Sequence, residues 1–264
     1  MTILDDILVQ TRRTIQSDQA ACSADELESQ VTDMAACRDF HAALARGTRV
    51  QLIAEVKRAS PSAGLIRDDF DPPTIAKAYQ AGGAACISVL TDQPFFQGSL
   101  EFLRQVRAAV DLPILRKDFI VDRYQLLQAR QAGADCVLLI AECLTARELK
   151  TLHDQATDLG LQTLIELFDP SNLDAVLETG TKLVGVNNRD LHTFQTDLEH
   201  TIRLRDSIPH DRLVVGESGI RTHADVLHLG RHGVKAILVG ESLMRQSDIK
   251  QATETLLGTG NPSP

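Results

Sequence analysis

The chain has 264 residues, with 27 basic and 36 acidic side chains, a net charge of −9, five Cys and no Trp. That acidic balance, with a pI near 5.3, argues against nucleic acid or a membrane surface as the partner, because both attract Lys- and Arg-rich faces. It does not exclude a small anionic ligand, which needs only local positive charge.

The opening segment MTILDDILVQTRR carries two Asp where a secretory leader would carry basic residues. No apolar run reaches the roughly 18 residues that suggest a membrane span. Cys22, Cys37, Cys86, Cys136 and Cys143 are odd in number and form no CxxC pair, so neither a disulfide framework nor a zinc site is expected. Cys86 and Cys136 sit in apolar runs and read as small buried hydrophobes. The expectation is a reduced, cytoplasmic protein without a metal.

Residues 1–48, including DELESQVTDMAACRDFHAALARG, have the pattern of amphipathic helix. About 45 residues is a marginal size for an independent core, so the segment reads as a helical extension packed on the rest of the chain. Over residues 49–258 a short apolar run, a loop and a helical stretch alternate. The runs are QLIAEVK (51–57), AACISVL (84–90), LPILRK (112–117), DCVLLIA (135–141), QTLIEL (162–167), KLVGVN (182–187), RLVVGE (212–217) and KAILVG (235–240). They are rich in Val, Ile and Leu and mostly lack polar alternation, as strands buried on both faces of a parallel sheet do. Eight such units predict a closed (β/α)8 TIM barrel; an open doubly wound sheet would carry a GxGxxG after the first strand, and none is there. Residues 259–264 are turn-rich and expected to form a flexible tail.

A barrel of this kind carries its functional groups at the C-terminal ends of its strands. Glu55 and Lys57, two apart, share a face that projects into the mouth if Val56 packs against helices. Lys117 ends the third run, Glu166 the fifth, Asn187 the sixth, and Glu217 with Ser218 the seventh. A single strand-end charge often marks only where burial stops. Several lysines and carboxylates converging on one mouth perturb one another's pKa and can serve as paired acids and bases. The eight His, such as His153 and His223, fall in helices or loops and read as surface residues.

The segments SGI (Ser218–Gly219–Ile220) and GESL (Gly240–Glu241–Ser242–Leu243) follow the seventh and eighth strands, where such barrels hold phosphate on backbone N–H groups. Either alone reads equally as a tight turn; together, at the expected place, they point to phosphate. Ser60 and Ser62 in RASPSAG add hydroxyl donors from a long loop after the first strand, which Pro61 and Gly64 suit for closing over a ligand.

The segments IAEVKRASPSAG (53–64), VLTD-x3-FFQGS (89–99), LPILRKDFIVD (112–122), LIELFD (164–169), VGVNNRDL (184–191), VGESGI (215–220) and LVGESLMR (238–245) resemble the indole-3-glycerol phosphate synthase family, in order, over most of the chain. The resemblance implies closure of the indole ring of 1-(2-carboxyphenylamino)-1-deoxyribulose 5-phosphate with loss of CO2 and water, in tryptophan biosynthesis. It implies Lys117 as the general acid at the ribulose carbonyl, Glu55 and Lys57 as a catalytic pair, and Glu166 as an acid/base on the ring-closed intermediate. Asn187 would orient substrate groups, with Glu217 and Ser218 as further active-site members. Phosphate would rest on Ser60 and the backbone of Gly219, Gly240 and Glu241. Phe96 and Phe119 would flank the anthranilate ring, and Arg189 would hold the polar end.

No cofactor is implied, because restored aromaticity drives decarboxylation, and the chain is expected to act as a monomer. Asp92 stands where the family pattern more often has Glu. A phosphoribosylanthranilate isomerase-like barrel would show a Cys at the end of the first strand and an Asp after the sixth, positions held here by Glu55/Lys57 and Asn187. A non-catalytic sugar-phosphate-binding barrel would keep the phosphate loops and lose the strand-end acids and bases; this chain has both.

Overall fold

The computed structural model describes residues 3–190 and 195–260. Its eight central strands are β1 (Gln51–Val56), β2 (Cys86–Leu90), β3 (Ile114–Lys117), β4 (Cys136–Ile140), β5 (Gln162–Leu167), β6 (Leu183–Asn187), β7 (Leu213–Glu217) and β8 (Ala236–Val239). Each pairs in parallel with its neighbours in chain order, and β8 closes on β1. The result is the expected (β/α)8 barrel, and each strand lies inside its apolar run.

Alternation along the strands divides the core in two. Ile53, Cys86, Leu115, Cys136, Leu164 and Val215 fill the barrel interior. Leu52, Val56, Ile87, Ile114, Ile165 and Val184 pack outward under the helices. Leu and Val dominate both layers because each strand is covered on both faces. The helices close locally: Asp122 caps the helix Arg123–Ala132, which ends at Gly133 with φ 91°, a left-handed position that suits glycine.

The extension runs from one end of the barrel to the other. Helix α1 (Ile3–Ala21) brings Ile3, Leu4 and Ile7 to the cavity at the C-terminal ends of the strands. Helix α2 (Ala24–Val31) starts with a Ser23/Glu26 capping box. Beside it, Tyr124 and Gln128 of the Arg123–Ala132 helix bind Cys22 O and Asp18 Oδ2, each at 2.8 Å. Helix α3 (Phe40–Leu44) plugs the opposite end. There Arg38 N–H donates to Asp135 Oδ1 at 2.8 Å and His41 N–H to Gln162 Oε1 at 2.7 Å, both at strand starts. Phe40 is fully buried against the interior cluster.

Two features differ from the sequence expectation. The loop after β1 is folded as a small antiparallel hairpin, Ala59–Ser60 with Gly64–Leu65. His153 and His223 are half-buried, with Nδ1 atoms bonded to Thr163 Oγ1 at 2.7 Å and Leu256 O at 2.9 Å. Among the described residues, no helix is long and apolar enough to cross a membrane. All five cysteines are free. Of the expected flexible tail, residues 261–264 lie outside the described ones.

Candidate active site

Every site residue expected from the sequence lines one cavity of about 970 Å³ at the C-terminal end of the barrel. Val56 is buried under the helices, so Glu55 and Lys57 face inward, with Lys57 Nζ 2.8 Å from Glu55 Oε1. Across the mouth, Lys117 Nζ lies 2.5 Å from Glu166 Oε2 and 3.0 Å from Glu217 Oε2. Asn187 Nδ2 donates to the other oxygen of Glu166 at 3.0 Å. Gly185, paired in register with Glu166 on the adjacent strand, makes room for this cluster; a methyl there would collide with Glu217 Oε1.

The carboxylates of Glu55, Glu166 and Glu217 are nearly inaccessible, at 3%, 4% and 2% exposure. Charges so placed persist only when paired. Burial alone would lower the pKa of Lys117, but Glu166, Glu217 and Glu55 outweigh it and hold the ammonium above the ordinary lysine range. Burial would likewise raise Glu166, and its contact with Lys117 instead holds it ionised. In Glu217 burial wins: together with the neighbouring charge of Glu166, it pushes the carboxyl up despite Lys117. One lysine between two carboxylates therefore favours one charged and one protonated partner. Glu217 Oε1 has no hydrogen-bond partner among the described residues.

At the other side of the mouth, Ser218 and Gly219 both take positive φ, at 67° and 80°. Gly240 leads into the short helix Glu241–Met244. Ser60 Oγ accepts from Ala63 N–H at 3.2 Å inside the hairpin. Arg189 donates its backbone N–H to Asn187 Oδ1 at 3.0 Å and its guanidinium to Ser62 Oγ at 2.9 Å, linking two loops across the cavity. The rings of Phe96 and Phe119 lie 6.2 Å apart at 38° on the cavity wall. The mouth thus offers donors, paired acids and bases, and an aromatic wall in one concave site. Among the described residues, no group of three or more His, Cys, Asp or Glu is arranged to hold a metal.

A profile of the indole-3-glycerol phosphate synthase family matches residues 4–256. The chain belongs to the indole-3-glycerol phosphate synthase family. It is 70% identical to the indole-3-glycerol phosphate synthase of Rhodopirellula baltica over 98% of this chain and all of the relative. Identity to the Azospirillum brasilense protein of the same name is 45%, over 97% of this chain and 98% of the relative. Among solved structures, 3-hexulose-6-phosphate synthase superposes with a TM-score of 0.63 at 14% identity, over 80% of this chain and 99% of that one. A thiamine phosphate pyrophosphorylase from Pyrococcus furiosus gives 0.58 at 17% identity, over 79% and 94%. At such identity these two structures speak for the fold alone.

Within this family member several supporting residues escaped the sequence reading. Asp118 is buried; its Oδ1 accepts from Phe119 N–H at 2.8 Å, and its Oδ2 meets Thr91 Oγ1 at 2.5 Å and Arg116 Nη2 at 2.9 Å. This clasp ties the loop after β2 to the loop that carries Phe119. Asp92, the departure from the family pattern, caps the short helix Gln93–Phe96 by accepting from Phe95 N–H at 2.8 Å and Phe96 N–H at 3.2 Å. Glu142 accepts from Phe168 N–H at 2.8 Å and Asp169 N–H at 3.0 Å, steadying the loop just past Glu166. The available signal was Arg116: a charged residue inside a strand whose neighbours alternate inward and outward must be either exposed or paired.

Proposed function

We propose that the chain carries out the family's reaction at this mouth, with Lys117 as its central acid. The activity is that of a carboxy-lyase of tryptophan biosynthesis: 1-(2-carboxyphenylamino)-1-deoxyribulose 5-phosphate closes to indole-3-glycerol phosphate, CO2 and water. The ring carbon bearing the carboxylate attacks the ribulose carbonyl carbon. Negative charge develops on the carbonyl oxygen, where the Lys117 ammonium donates a proton and a positive field. Loss of CO2 returns its bonding electrons to the ring. Water then leaves the former carbonyl carbon as the adjacent proton is removed.

The triad of Lys117, Glu166 and Glu217 supports this reading. An ammonium held charged by the buried, ionised Glu166, with Glu217 on its other side, is a preformed donor, already oriented before substrate arrives. Glu166 acts as base in the dehydration, and Asn187, bound to its other oxygen, fixes its direction. Lys57, paired with Glu55, neutralises the departing carboxylate and assists the later proton transfers. Glu217 and Ser218 complete the wall, Phe96 and Phe119 flank the anthranilate ring, and Arg189 holds the polar end. Ser60 and the backbone of Gly219, Gly240 and Glu241 take the phosphate.

Residues 49–258 act as the catalytic barrel and residues 1–48 as its helical extension. The protein works as a cytoplasmic monomer on a dissolved sugar phosphate; its net charge of −9 supports this over a nucleic-acid or membrane partner. Light scattering of the purified chain tests the oligomeric state.

Indole fluorescence, followed as the purified chain meets the carboxyphenylamino-deoxyribulose phosphate, tests the activity. Wild type gives a rising signal, and Lys117→Ala lowers kcat by about a thousandfold or more. A well-folded wild type without signal overturns the activity; a fully active Lys117→Ala overturns the role of the lysine.

A further inference from the structure

Asn188 follows Asn187 at the end of β6, and strand alternation turns its side chain away from the reacting layer. It is 1% exposed and does not line the cavity. Its Oδ1 accepts from Thr201 at 3.0 Å (N–H) and 2.7 Å (Oγ1), within the helix Glu199–Arg205. Its Nδ2 donates to Ser218 O at 3.2 Å, and its backbone N–H donates to Glu217 O at 2.8 Å. Asn188 therefore grips the chain at the two residues where β7 gives way to the Ser218–Gly219 turn.

That turn needs a grip. Ser218, at φ 67°, is one of two non-glycine residues with positive φ among those described. A side chain stays in that region when its surroundings over-determine it. Here the restraint falls on the Ser218 carbonyl. In a trans peptide the carbonyl and the following N–H point in opposite directions. Drawing Ser218 O toward Asn188, behind the cavity wall, therefore turns the N–H of Gly219 to the cavity side, where Gly219 lies on the lining.

We propose that Asn188 is a positioning residue for phosphate binding: by holding Ser218 O it keeps the Ser218–Gly219 turn left-handed and aims the Gly219 amide at the substrate's phosphate. The proposal rests on the reading of Gly219 as a phosphate donor. The Asn188 side chain contacts Thr201 and Ser218 and none of the side chains of the Lys117 cluster, and only its backbone N–H meets Glu217, at the carbonyl, so the effect of changing the side chain falls on binding rather than on the chemical step.

The test is a double-mutant cycle on the full-length chain, reading kcat, KM and the inhibition constant of inorganic phosphate as a competitor. Asn188→Asp keeps the volume and the Thr201 contacts but removes the donor to Ser218. Losing that bond raises KM and the phosphate constant by about tenfold, with kcat within about twofold. Ser218→Gly supplies a residue that takes positive φ without help. In that background, adding Asn188→Asp changes each constant by less than about twofold.

Equal losses in both backgrounds overturn the proposal, since they signal the new carboxylate's charge or general damage rather than the turn. A fall in kcat with an unchanged phosphate constant overturns it as well. If inorganic phosphate fails to compete in wild type, the phosphate reading itself fails, before any variant is made. Should Asn188→Asp not fold, Thr201→Val loosens the same asparagine. It predicts a loss of about threefold that disappears beside Ser218→Gly.

Discussion

The two ends of this barrel are made from the same strands, separated by one step of the pleat. Near the N-terminal end, Ile53, Leu115, Leu164 and Val215 point inward and pack against Phe40. Two residues further along the same strands, the inward positions are Glu55, Lys117, Glu166 and Glu217. Burial of the apolar residues and of the three carboxylates is almost equal, with exposure from 0% at Ile53 to 4% at Glu166, while Lys117 keeps 16% of its side chain exposed. What differs is how each end tolerates it. The floor is stabilised by removing apolar surface from water. The mouth must offset the desolvation of its charges by pairing them, which weakens stability and preserves reactivity. The charged layer that we propose to be catalytic rests on a packed apolar layer.

Substitutions should separate the two ends. Glu166→Gln keeps the volume and the floor but removes the proposed base and one partner of Lys117. We expect kcat to fall by about three orders of magnitude, on the order of 4 kcal/mol of barrel-mouth transition-state stabilisation, with Tm changed little. Steady-state fluorescence assays beside a thermal melt read both effects. The opposite signature belongs to the floor. Phe40→Ala opens a cavity under the interior cluster and should cost about 3 kcal/mol of unfolding free energy in a urea titration. The fraction that remains folded should turn over at close to the wild-type rate. A large kcat loss in folded Phe40→Ala would show that the floor also tunes the mouth.

This division explains what could be read from the sequence. Eight apolar runs located eight strands because each is covered on both faces, and strand ends located the mouth because charge there interrupts an apolar pattern. Alternation put Glu55 and Lys57 on one face and Val56 on the other, and the burial of Val56 under the helices then fixed which way the pair faces. Alternation along a strand does not reveal what lies behind it. Arg116 and Asp118 flank Lys117 and carry as much charge, yet they point outward into a buried clasp with Thr91. Asn188 sits beside Asn187, and only the position of Ser218 in space distinguishes their tasks. The amphipathic pattern of residues 1–48 likewise announced helices without saying that α1 would reach the mouth while α3 plugged the floor. Those facts depend on contacts between residues far apart in the chain, such as His41 with Gln162, which no local period encodes.

Protonation sharpens the contrast. Burial raises the pKa of Glu217 in the folded chain above its ordinary value of 4.5. The native state then holds a proton that the unfolded chain releases, so this group's contribution to stability falls as pH rises above about 5. Glu217→Gln removes the titration. Its unfolding free energy relative to wild type should improve steadily from about pH 5 to about pH 9, even though its activity is lower. Denaturant titrations at several pH values check the sign. A relative stability that does not change across this range would mean that Glu217 is ionised in the native state. The floor variant Phe40→Ala, with no titrating group, should show no such trend.

Asp92 offers the finest test, because it is a buried carboxylate in the loop after β2 with no ion pair among the described residues. Burial pushes it up to about 6, and the nearby Asp118 adds to this against the two amides it caps. Its stability contribution is therefore complete below about pH 4 and is lost as pH rises through about 6. Asp92→Asn keeps an oxygen for Phe95 N–H and Phe96 N–H, so the helix cap and the Phe96 ring stay in place. We expect a Tm gain of a few degrees or less at about pH 8, shrinking at about pH 5, with KM within about twofold of wild type. The window lies below that of Glu217 because Asp92 is less deeply enclosed and its cap favours the charged form. If Asp92→Asn instead raises KM strongly, the carboxylate's charge and not merely its cap shapes the aromatic wall. The boundary of the reactive layer would then extend beyond the strand ends into the loop after β2.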